Sequence, residues 1–208
     1  MTGIPGAAIL IVLAYLIGAL PFGLLVGRLA GGVDLREHGS GRIGATNALR
    51  TVGWTGAVLT FLLDLLKGVA AVLLVCWLYQ TGPAWPTPWI GAAAGIAAVA
   101  GHIRSVFIGF RGGRGVATFA GAMLATAPWT VAIVVPIFAL VVWRSRFVSL
   151  GSLLGAWLAP VVTAAQVPLG RATWAAVALG LAGAALVTVA HRDNIARLRA
   201  GTERRLGQ

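Results

Sequence analysis

The chain has 208 residues and a mean hydropathy of +0.91, and only 10% of its residues are charged. A soluble domain carries roughly 25% charged residues, so this composition excludes an ordinary water-soluble fold and indicates a membrane protein. The formal charge of +11 suits anionic lipid or an anionic substrate. Nucleic acid is not expected as a partner, because the basic residues lie in short loops rather than in a basic domain.

Apolar runs near the length of a membrane-spanning helix recur along the whole chain. Glycine, proline and charged residues divide them into seven candidate spans, at about 4–27, 54–80, 88–108, 115–127, 129–143, 149–167 and 172–190. The runs show no period-2 alternation, and lipid cannot pair backbone groups, so the spans should be helices. The predicted fold class is all-α, a polytopic membrane helix bundle of about seven transmembrane helices, and 1–208 should form a single domain.

The distribution of basic residues predicts the orientation of these spans. With the N-terminus outside, the loops 28–53, 104–114 and 144–148 and the tail from 191 lie inside. Of the 16 basic residues, only Arg171 then lies outside and Lys67 lies within a span; the others are inside, namely Arg28, Arg36, Arg42, Arg50, Arg104, Arg111, Arg114, Arg144, Arg146, Arg192, Arg197, Arg199, Arg204 and Arg205. The positive-inside rule therefore predicts an outside N-terminus and a cytoplasmic C-terminus.

A first polar interruption, GVDLREHGSGRIGATNALRTVG (32–53), contains more than orientation requires. Glycines can turn backbone N–H groups inward as an anion cradle, and Arg50 can offer a bidentate fork to a phosphate. The other candidate donors here are Gly39, Ser40, Gly41, Thr46 and Asn47. An ordinary interfacial loop is an equally good interpretation of these residues alone.

A second interruption, GHIRSVFIGFRGGRGVATFAG (101–121), places Arg111 and Arg114 on either side of Gly112-Gly113, ahead of a predicted helix. Exposed N–H groups and the positive end of the helix dipole suit a phosphate there. The loop lacks the GxxxxGK[ST] pattern, so nucleotide hydrolysis is not supported. The alternative is a basic loop that only orients the flanking spans.

The tail HRDNIARLRAGTERRLG (191–207) places His191 and Asn194 three residues apart, on one face of a helix. The alternative is a basic interfacial helix that contacts anionic lipid. Within the second span, Asp64 and Lys67 can either neutralise each other or support an arginine from another loop. No metal-ligand spacing and no GxSxG elbow occur, so we expect neither a metal nor a cofactor.

These interruptions fall on one predicted side of the membrane. Each contains hydrogen-bond donors and cations but few carboxylates. This chemistry favours binding of phosphate groups, beside an apolar bundle that suits an oily substrate part. A transporter for a phosphorylated solute is an alternative, although it would need access from both faces. A non-catalytic scaffold that grips anionic headgroups is another.

The motifs resemble those of the bacterial membrane acyltransferases that use acyl-phosphate to acylate glycerol 3-phosphate. Family patterns similar to GSGNIGATN followed by Arg, GHxFPxFxxFKGGKGVAT and HRENIxRLxxGTE correspond here to GSGRIGATNALR, GHIRSVFIGFRGGRGVAT and HRDNIARLRAGTE. DLLKG (64–68) and RFVSLGS (146–152) also look like family segments. The chain departs from the pattern at Arg42 in place of Asn, at Arg104-Ser105 in place of aromatic-Pro, and at Arg111 and Arg114 in place of Lys.

The resemblance implies a multi-pass enzyme of the cell inner (cytoplasmic) membrane with its active site on the cytoplasmic side. It would transfer a fatty acyl group from acyl-phosphate to the sn-1 hydroxyl of glycerol 3-phosphate, giving lysophosphatidate and inorganic phosphate, in phospholipid biosynthesis. Membrane lipid and the two substrates would be its partners, and we expect a monomer. The expected catalytic residues are Ser40, Arg50, Arg114, His191 and Asn194; the expected substrate-binding residues are Gly39, Gly41, Thr46, Asn47, Arg111, Gly112, Gly113 and Ser149.

Overall fold

The structure is a computed structural model that describes residues 4–79 and 87–207, with side chains from 6 to 79 and from 88 to 207. The described residues form α-helices and two short 3-10 helices, Leu35–Glu37 and Val106–Ile108, and contain no strand. The α-helices are α1 Ile4–Ala19, α2 Phe22–Gly31, α3 Ala45–Thr51, α4 Gly53–Tyr79, α5 Thr87–Ile103, α6 Val116–Thr126, α7 Pro128–Ser145, α8 Val148–Gln166, α9 Trp174–Ala190 and α10 Arg192–Arg199. Residue 80, the predicted end of the second span, lies outside the described residues. The all-α prediction is confirmed.

Each of the predicted spans corresponds to helical structure, but the helices differ in length. Five described segments are long and apolar enough to cross a membrane, namely Gly6–Gly31, Gly53–Tyr79, Pro88–Ile108, Pro128–Ser145 and Val148–Gln166. The pair α9 and α10 passes the same test together but bends by 64° between its two helices. Helix α6 has 11 residues, about 17 Å, which is short of a hydrocarbon core of about 30 Å. The number of crossings and their orientation stay predictions.

The first span is broken between α1 and α2 at Pro21, which has no N–H group and interrupts the helical hydrogen bonds. The carbonyls of Ala19 and Leu20 are released from the helical pattern by this break, and Leu20 O accepts a backbone hydrogen bond from Phe22 N at 3.0 Å. Ser105 Oγ donates to Ala19 O at 2.6 Å, and Lys67 Nζ donates to Leu20 O at 2.8 Å. Freed carbonyls in an apolar bundle need such partners, so Lys67 has a structural reason to lie inside a span.

At the Arg104-Ser105 departure from the family pattern, the backbone has a conformation that a proline could also adopt. Ser105 has φ −70°, the value that a proline ring imposes. The carbonyl of Arg104 accepts a hydrogen bond from the Tyr15 hydroxyl at 2.5 Å. The turn after α5 is therefore held to α1 by two side-chain contacts, those of Ser105 and Tyr15.

Helices α4 and α6 approach each other closely because small residues face each other. A Cβ atom added at Gly68 would lie 2.2 Å from Thr118 O, and one added at Gly121 would lie 2.0 Å from Leu65 O. Close helix contact through small residues is the usual packing device in membrane bundles. It fixes the start of α6, and the loop that precedes it, beside the polar residues of α4.

Candidate functional site

A polar cavity of about 330 Å³ lies where the three sequence motifs meet. The loop before α3, the start of α6, the start of α8 and the bend between α9 and α10 form its walls. The predicted site residues that line it are Gly39, Ser40, Thr46, Asn47, Arg50, Arg114, Ser149, His191 and Asn194. Gly41, Arg111, Gly112 and Gly113 are not among its lining residues.

Asn47 organises the first loop through its side-chain amide. Its Nδ2 donates toward the carbonyls of Leu35 at 2.8 Å, Arg42 at 2.9 Å and His38 at 3.0 Å, and its Oδ1 accepts from Ser40 N at 2.9 Å. The amide is thus occupied by the loop itself. We infer that Asn47 positions Ser40 rather than donating directly to a ligand.

Replacing Asn47 by aspartate should disrupt this loop, because a carboxylate cannot donate to the three carbonyls. We expect at least a tenfold loss of activity and a loss of stability of about 1–3 kcal/mol. Turnover and the apparent melting temperature in detergent measure the two effects. Thr51→Val is a matched control on the same helix, since the Thr51 hydroxyl donates only to Asn47 O; an equal loss in both variants would contradict this role.

The Gly112-Gly113 pair packs against the end of α5. Gly112 N donates to Ile103 O at 3.2 Å and Gly113 N donates to His102 O at 3.1 Å. A Cβ atom at Gly113 would lie 2.2 Å from His102 Nε2, which explains the need for glycine. These two N–H groups are occupied and are not available to a ligand in this structure.

The start of α6 provides the backbone donors instead. Gly115 has φ +83°, a left-handed conformation that favours glycine, and directs the chain into α6. Gly115, Val116 and Ala117 all line the polar cavity. The first-turn N–H groups of a helix have no intrahelical acceptors and suit an anion.

Arg114 is a largely buried cation whose charge no carboxylate in the described chain neutralises by an ion pair. Its Nε is buried and has no hydrogen-bond partner. Burial, followed by the positive charge of Arg42, lowers the pKa of Arg114 to about 10. Glu203 in the same cavity acts on this charge but forms no ion pair with it. An unpaired buried charge is costly, so this position favours binding of an anion.

Arg50 adds a second cation from the last turn of α3. Burial lowers the pKa of its guanidinium, and the nearby charge of Arg204 lowers it further, while Glu203 acts in the opposite direction. Arg50 forms no ion pair with any described residue. Two guanidinium groups therefore share one cavity, an arrangement that suits phosphate oxygens.

Glu203 is the site residue that sequence reasoning missed. It accepts hydrogen bonds from Ser149 Oγ at 2.7 Å, Asn194 Nδ2 at 2.5 Å and Arg197 Nε at 2.7 Å. Burial raises the pKa of Glu203, but these three hydrogen bonds lower it more, so the group stays ionised. The GTE of the third motif was the available signal, because it places a carboxylate within a strongly basic tail.

His191 lies at the bend between α9 and α10 and is 2% exposed. Burial lowers its pKa to about 4, and the charge of Arg114 contributes to the lowering. The neutral ring lies with Nδ1 2.8 Å from Val187 O, and a carbonyl can only accept, so Nδ1 carries the proton. This leaves Nε2 as a hydrogen-bond acceptor. His191 lines the polar cavity.

The pKa of His191 predicts how stability depends on pH. Between about pH 4 and 6.5 the unfolded chain binds more protons than the folded chain, so stability falls as pH falls through this window, by about 3 kcal/mol at most. In His191→Gln this contribution should disappear. Apparent melting temperatures between pH 4.5 and 8 measure it, with the exposed His38→Gln as control; identical pH curves for wild type and His191→Gln would refute the assignment.

The Arg42 departure from the family pattern has a partner in the structure. Arg42 Nη2 lies 3.5 Å from Asp193 Oδ2, and the Asp193 side chain is 54% exposed. Both residues line the polar cavity, so the pair joins the first loop to α10 at its rim. Ion pairs this exposed contribute about 0–1 kcal/mol, so the contact guides geometry more than it stabilises the fold.

The Asp64–Lys67 pair predicted in the second span forms, and it includes a third residue. Asp64 Oδ1 lies 2.8 Å from Lys67 Nζ and 3.5 Å from His102 Nδ1. The interpretation that Asp64 supports an arginine from another loop is wrong, because its ion-pair partners are these two residues. Asp64 and His102 also line the polar cavity, and the His102 ring packs against Gly113. No group of three potential metal ligands occurs among the described residues.

A second cavity, of about 150 Å³ and apolar, adjoins the polar one. It lies along α6, α7 and α8. Four residues line both cavities, namely Phe61, Val116, Phe138 and Ser152. The site can therefore hold a ligand that has a phosphate-like end and a hydrocarbon end.

The fold and the site define an integral-membrane helix bundle with a cation-lined cavity that continues into an apolar one. Residues 8–201 match the model of a family described as glycerol-3-phosphate acyltransferase. This chain belongs to that family, as its motifs predicted, and the prediction of a membrane helix bundle is confirmed with it.

Relatives and solved structures support the same assignment over nearly the whole chain. The glycerol-3-phosphate acyltransferase of Geobacter sulfurreducens is 44% identical, covering 95% of this chain and 96% of the relative; that of Synechococcus sp. (strain JA-3-3Ab) is 46% identical, covering 93% and 90%. The crystal structure of PlsY (YgiH), an integral membrane glycerol 3-phosphate acyltransferase, in its glycerol 3-phosphate form has a TM-score of 0.84 at 35% identity, covering 97% of this chain and 96% of that one. Its lysophosphatidic acid form has a TM-score of 0.83 at 34% identity, covering 97% and 95%.

Proposed function

We propose that this protein transfers a fatty acyl group from acyl-phosphate to the sn-1 hydroxyl of glycerol 3-phosphate, releasing lysophosphatidate and inorganic phosphate. The single observation that carries the proposal is Arg114, a largely buried cation without a carboxylate partner at the start of α6. The relatives described above are named glycerol-3-phosphate acyltransferases, and one solved structure is the lysophosphatidic acid form of such an enzyme. These names support the acceptor and the product, and the phosphate of the donor would neutralise the charge of Arg114.

The two joined cavities favour a donor with an acyl chain and a phosphate. The acyl chain would occupy the apolar cavity between α6, α7 and α8, and its phosphate would lie at Arg114 and the N–H groups at the start of α6. Glycerol 3-phosphate would enter the polar cavity beside Arg50 and Ser40. The acyl carbonyl would then lie near the four residues that line both cavities.

The proposed reaction is a direct transfer without a covalent acyl-enzyme. The sn-1 hydroxyl oxygen attacks the acyl carbonyl carbon, the bond from that carbon to the phosphate oxygen breaks, and phosphate leaves with the electron pair. Because an acyl phosphate has a good leaving group, positioning and stabilisation of charge can supply much of the rate. Arg114 would stabilise the departing phosphate, and a phosphate oxygen would accept the hydroxyl proton.

His191 and Asn194 would orient the acceptor rather than act as strong bases. A histidine with a pKa near 4 is a weak base at neutral pH, but its Nε2 can accept a hydrogen bond from a glycerol hydroxyl. The Asn194 side chain donates to Glu203, and its buried Oδ1 has no partner. This oxygen is a second acceptor for the hydroxyl groups of glycerol 3-phosphate.

The same proposal includes the location of the enzyme. The inside loops identified by the positive-inside rule contain all the arginines of the polar cavity, so the active site would open to the cytoplasmic side of the inner membrane. We propose a monomer as the active form, since one chain provides both cavities.

The test uses purified protein in detergent with palmitoyl-phosphate and glycerol 3-phosphate. We expect lysophosphatidate and inorganic phosphate in equal amounts, and no product when palmitoyl-CoA replaces the acyl-phosphate. Equal turnover with palmitoyl-CoA would overturn the choice of donor. Binding of glycerol 3-phosphate without turnover of either donor would favour a lipid-binding or transport protein instead.

A further inference from the structure

The apolar cavity extends from the polar cavity toward the opposite end of the bundle. Phe138 in the middle of α7 and Ser152 near the start of α8 line its polar end. Thr130 in the first turn of α7 and Ala159 in the middle of α8 line its far end, together with Met123 of α6. The eight residue steps from Phe138 to Thr130 span about 12 Å along α7. The cavity is therefore a groove with a defined far end.

Thr130 at this far end belongs to a cluster of three polar side chains, Thr130, Thr163 and Gln166, which we name the outer polar cluster; of the three, only Thr130 lines the cavity. Thr130 Oγ1 lies 2.9 Å from Thr163 Oγ1, and Gln166 Nε2 donates to Thr130 Oγ1 at 3.2 Å. The Thr163 hydroxyl donates its proton to Ala159 O at 2.7 Å, so Thr130 must donate to Thr163. The Thr130 hydroxyl is thus satisfied both as donor and as acceptor.

Thr130 also anchors α7 to the bundle. Within Pro128–Ser145, all of which the structure describes, Thr130 is the one buried residue. The outer polar cluster joins the first turn of α7 to the last turn of α8. Interhelical hydrogen bonds of this kind stabilise membrane proteins only weakly, but they fix the spacing of the two helices. The cluster therefore sets how far the groove extends.

We infer that the outer polar cluster, through Thr130, determines the length of the acyl chain that the enzyme prefers. The inference rests on the proposed function, which places the acyl chain in this groove. Each methylene buried in the groove should increase kcat/KM by at most about fourfold, the value for transfer from water, until the chain end reaches Thr130. A longer chain gains nothing further from the groove, because its end meets the Thr130 hydroxyl, which already has its hydrogen-bond partners.

The experiment compares kcat/KM for saturated acyl-phosphates of eight to eighteen carbons. Thr130→Ala removes the hydroxyl and the methyl group, so the preferred chain should lengthen, with a gain of at most about fourfold in the kcat/KM ratio of longer to shorter donors for each methylene accommodated. Ala159→Val narrows the far end and should shift the preference to shorter chains. Thr126→Ala is the matched control, since Thr126 donates to Ala122 O on α6 and does not line the groove.

A second measurement separates this inference from the proposed function. Alkyl phosphates of the same lengths cannot transfer an acyl group, and their stabilisation of the protein against heat reports chain binding alone. If wild type does not turn over acyl-phosphates but Thr130→Ala changes the length dependence of this stabilisation, the proposed function fails and the cluster still sets the chain length. If Thr130→Ala and Ala159→Val keep the wild-type length dependence in the binding measurement and in any turnover, the inference is overturned.

Discussion

Replacing Arg114 by alanine is expected to lower kcat/KM for acyl transfer by about 10²–10³-fold, the usual effect of removing a donor to developing negative charge. Arg114→Lys keeps the charge but loses the planar guanidinium, and its kcat/KM should stay within about tenfold of the wild-type value. Steady-state release of inorganic phosphate measures both variants. Arg111→Ala is the matched control in the same loop, because Arg111 is exposed and does not line the polar cavity.

Heat stability gives Arg114 a second, independent signature. Removal of a buried charge that has no carboxylate partner should leave stability unchanged or increased. Hexadecyl phosphate, which has the chain and phosphate of the donor but cannot transfer an acyl group, should raise the apparent melting temperature of wild type and have much less effect on Arg114→Ala. An Arg114→Ala protein that keeps full activity, or that loses activity only because it unfolds, would refute the proposed role.

Replacing Glu203 by alanine is expected to lower activity by about 10²-fold and stability by about 2 kcal/mol, because hydrogen bonds to a charged group are among the stronger ones. The change leaves Ser149, Asn194 and Arg197 without their shared acceptor. The tail would then no longer hold α10 against α8. Turnover and the apparent melting temperature should fall together, in contrast to Arg114→Ala.

Glu203→Gln distinguishes charge from shape at this position. The glutamine side chain keeps one oxygen acceptor and has no charge. Its NH2 group can only donate, so it cannot accept from Arg197 when it takes the place of Oε2. We therefore expect losses of activity and stability smaller than those of Glu203→Ala. Glu37→Ala removes the other glutamate of the chain, which is exposed and does not line the polar cavity, and should change neither quantity. A fully active Glu203→Ala protein would show that α10 is held by other contacts.

Much of the architecture follows from the sequence, because spans and loops are chemically distinct in a membrane protein. Lipid requires long apolar helices, so composition alone predicted the helical segments and the all-α class. The short α6 agrees with the predicted span 115–127. The structure departs from the predictions at two places, where the first span breaks between α1 and α2 and where the chain bends by 64° between α9 and α10. The composition of the spans does not contain either break.

The residue types of the three motifs were enough to predict one anion site, and most of the residues predicted from them line a single cavity. Motif letters do not state which N–H groups remain free, since that depends on where carbonyls from another helix lie. In the structure, carbonyls at the end of α5 accept hydrogen bonds from the N–H groups of Gly112 and Gly113. The N–H groups at the start of α6 remain available to a ligand. The same limit hid Glu203, whose partners come from α8 and α10.

By itself, the sequence determined the class of the protein, its family and the cation-rich chemistry of its site, because these depend on residue type and local order. Only the tertiary structure decided which groups act together. The burial of Arg114 without an ion-pair partner, the acceptor shared at Glu203 and the contacts of Thr130 at the far end of the groove each depend on distances between segments far apart in the chain. Such distances are set by helix packing, which no single stretch of sequence contains.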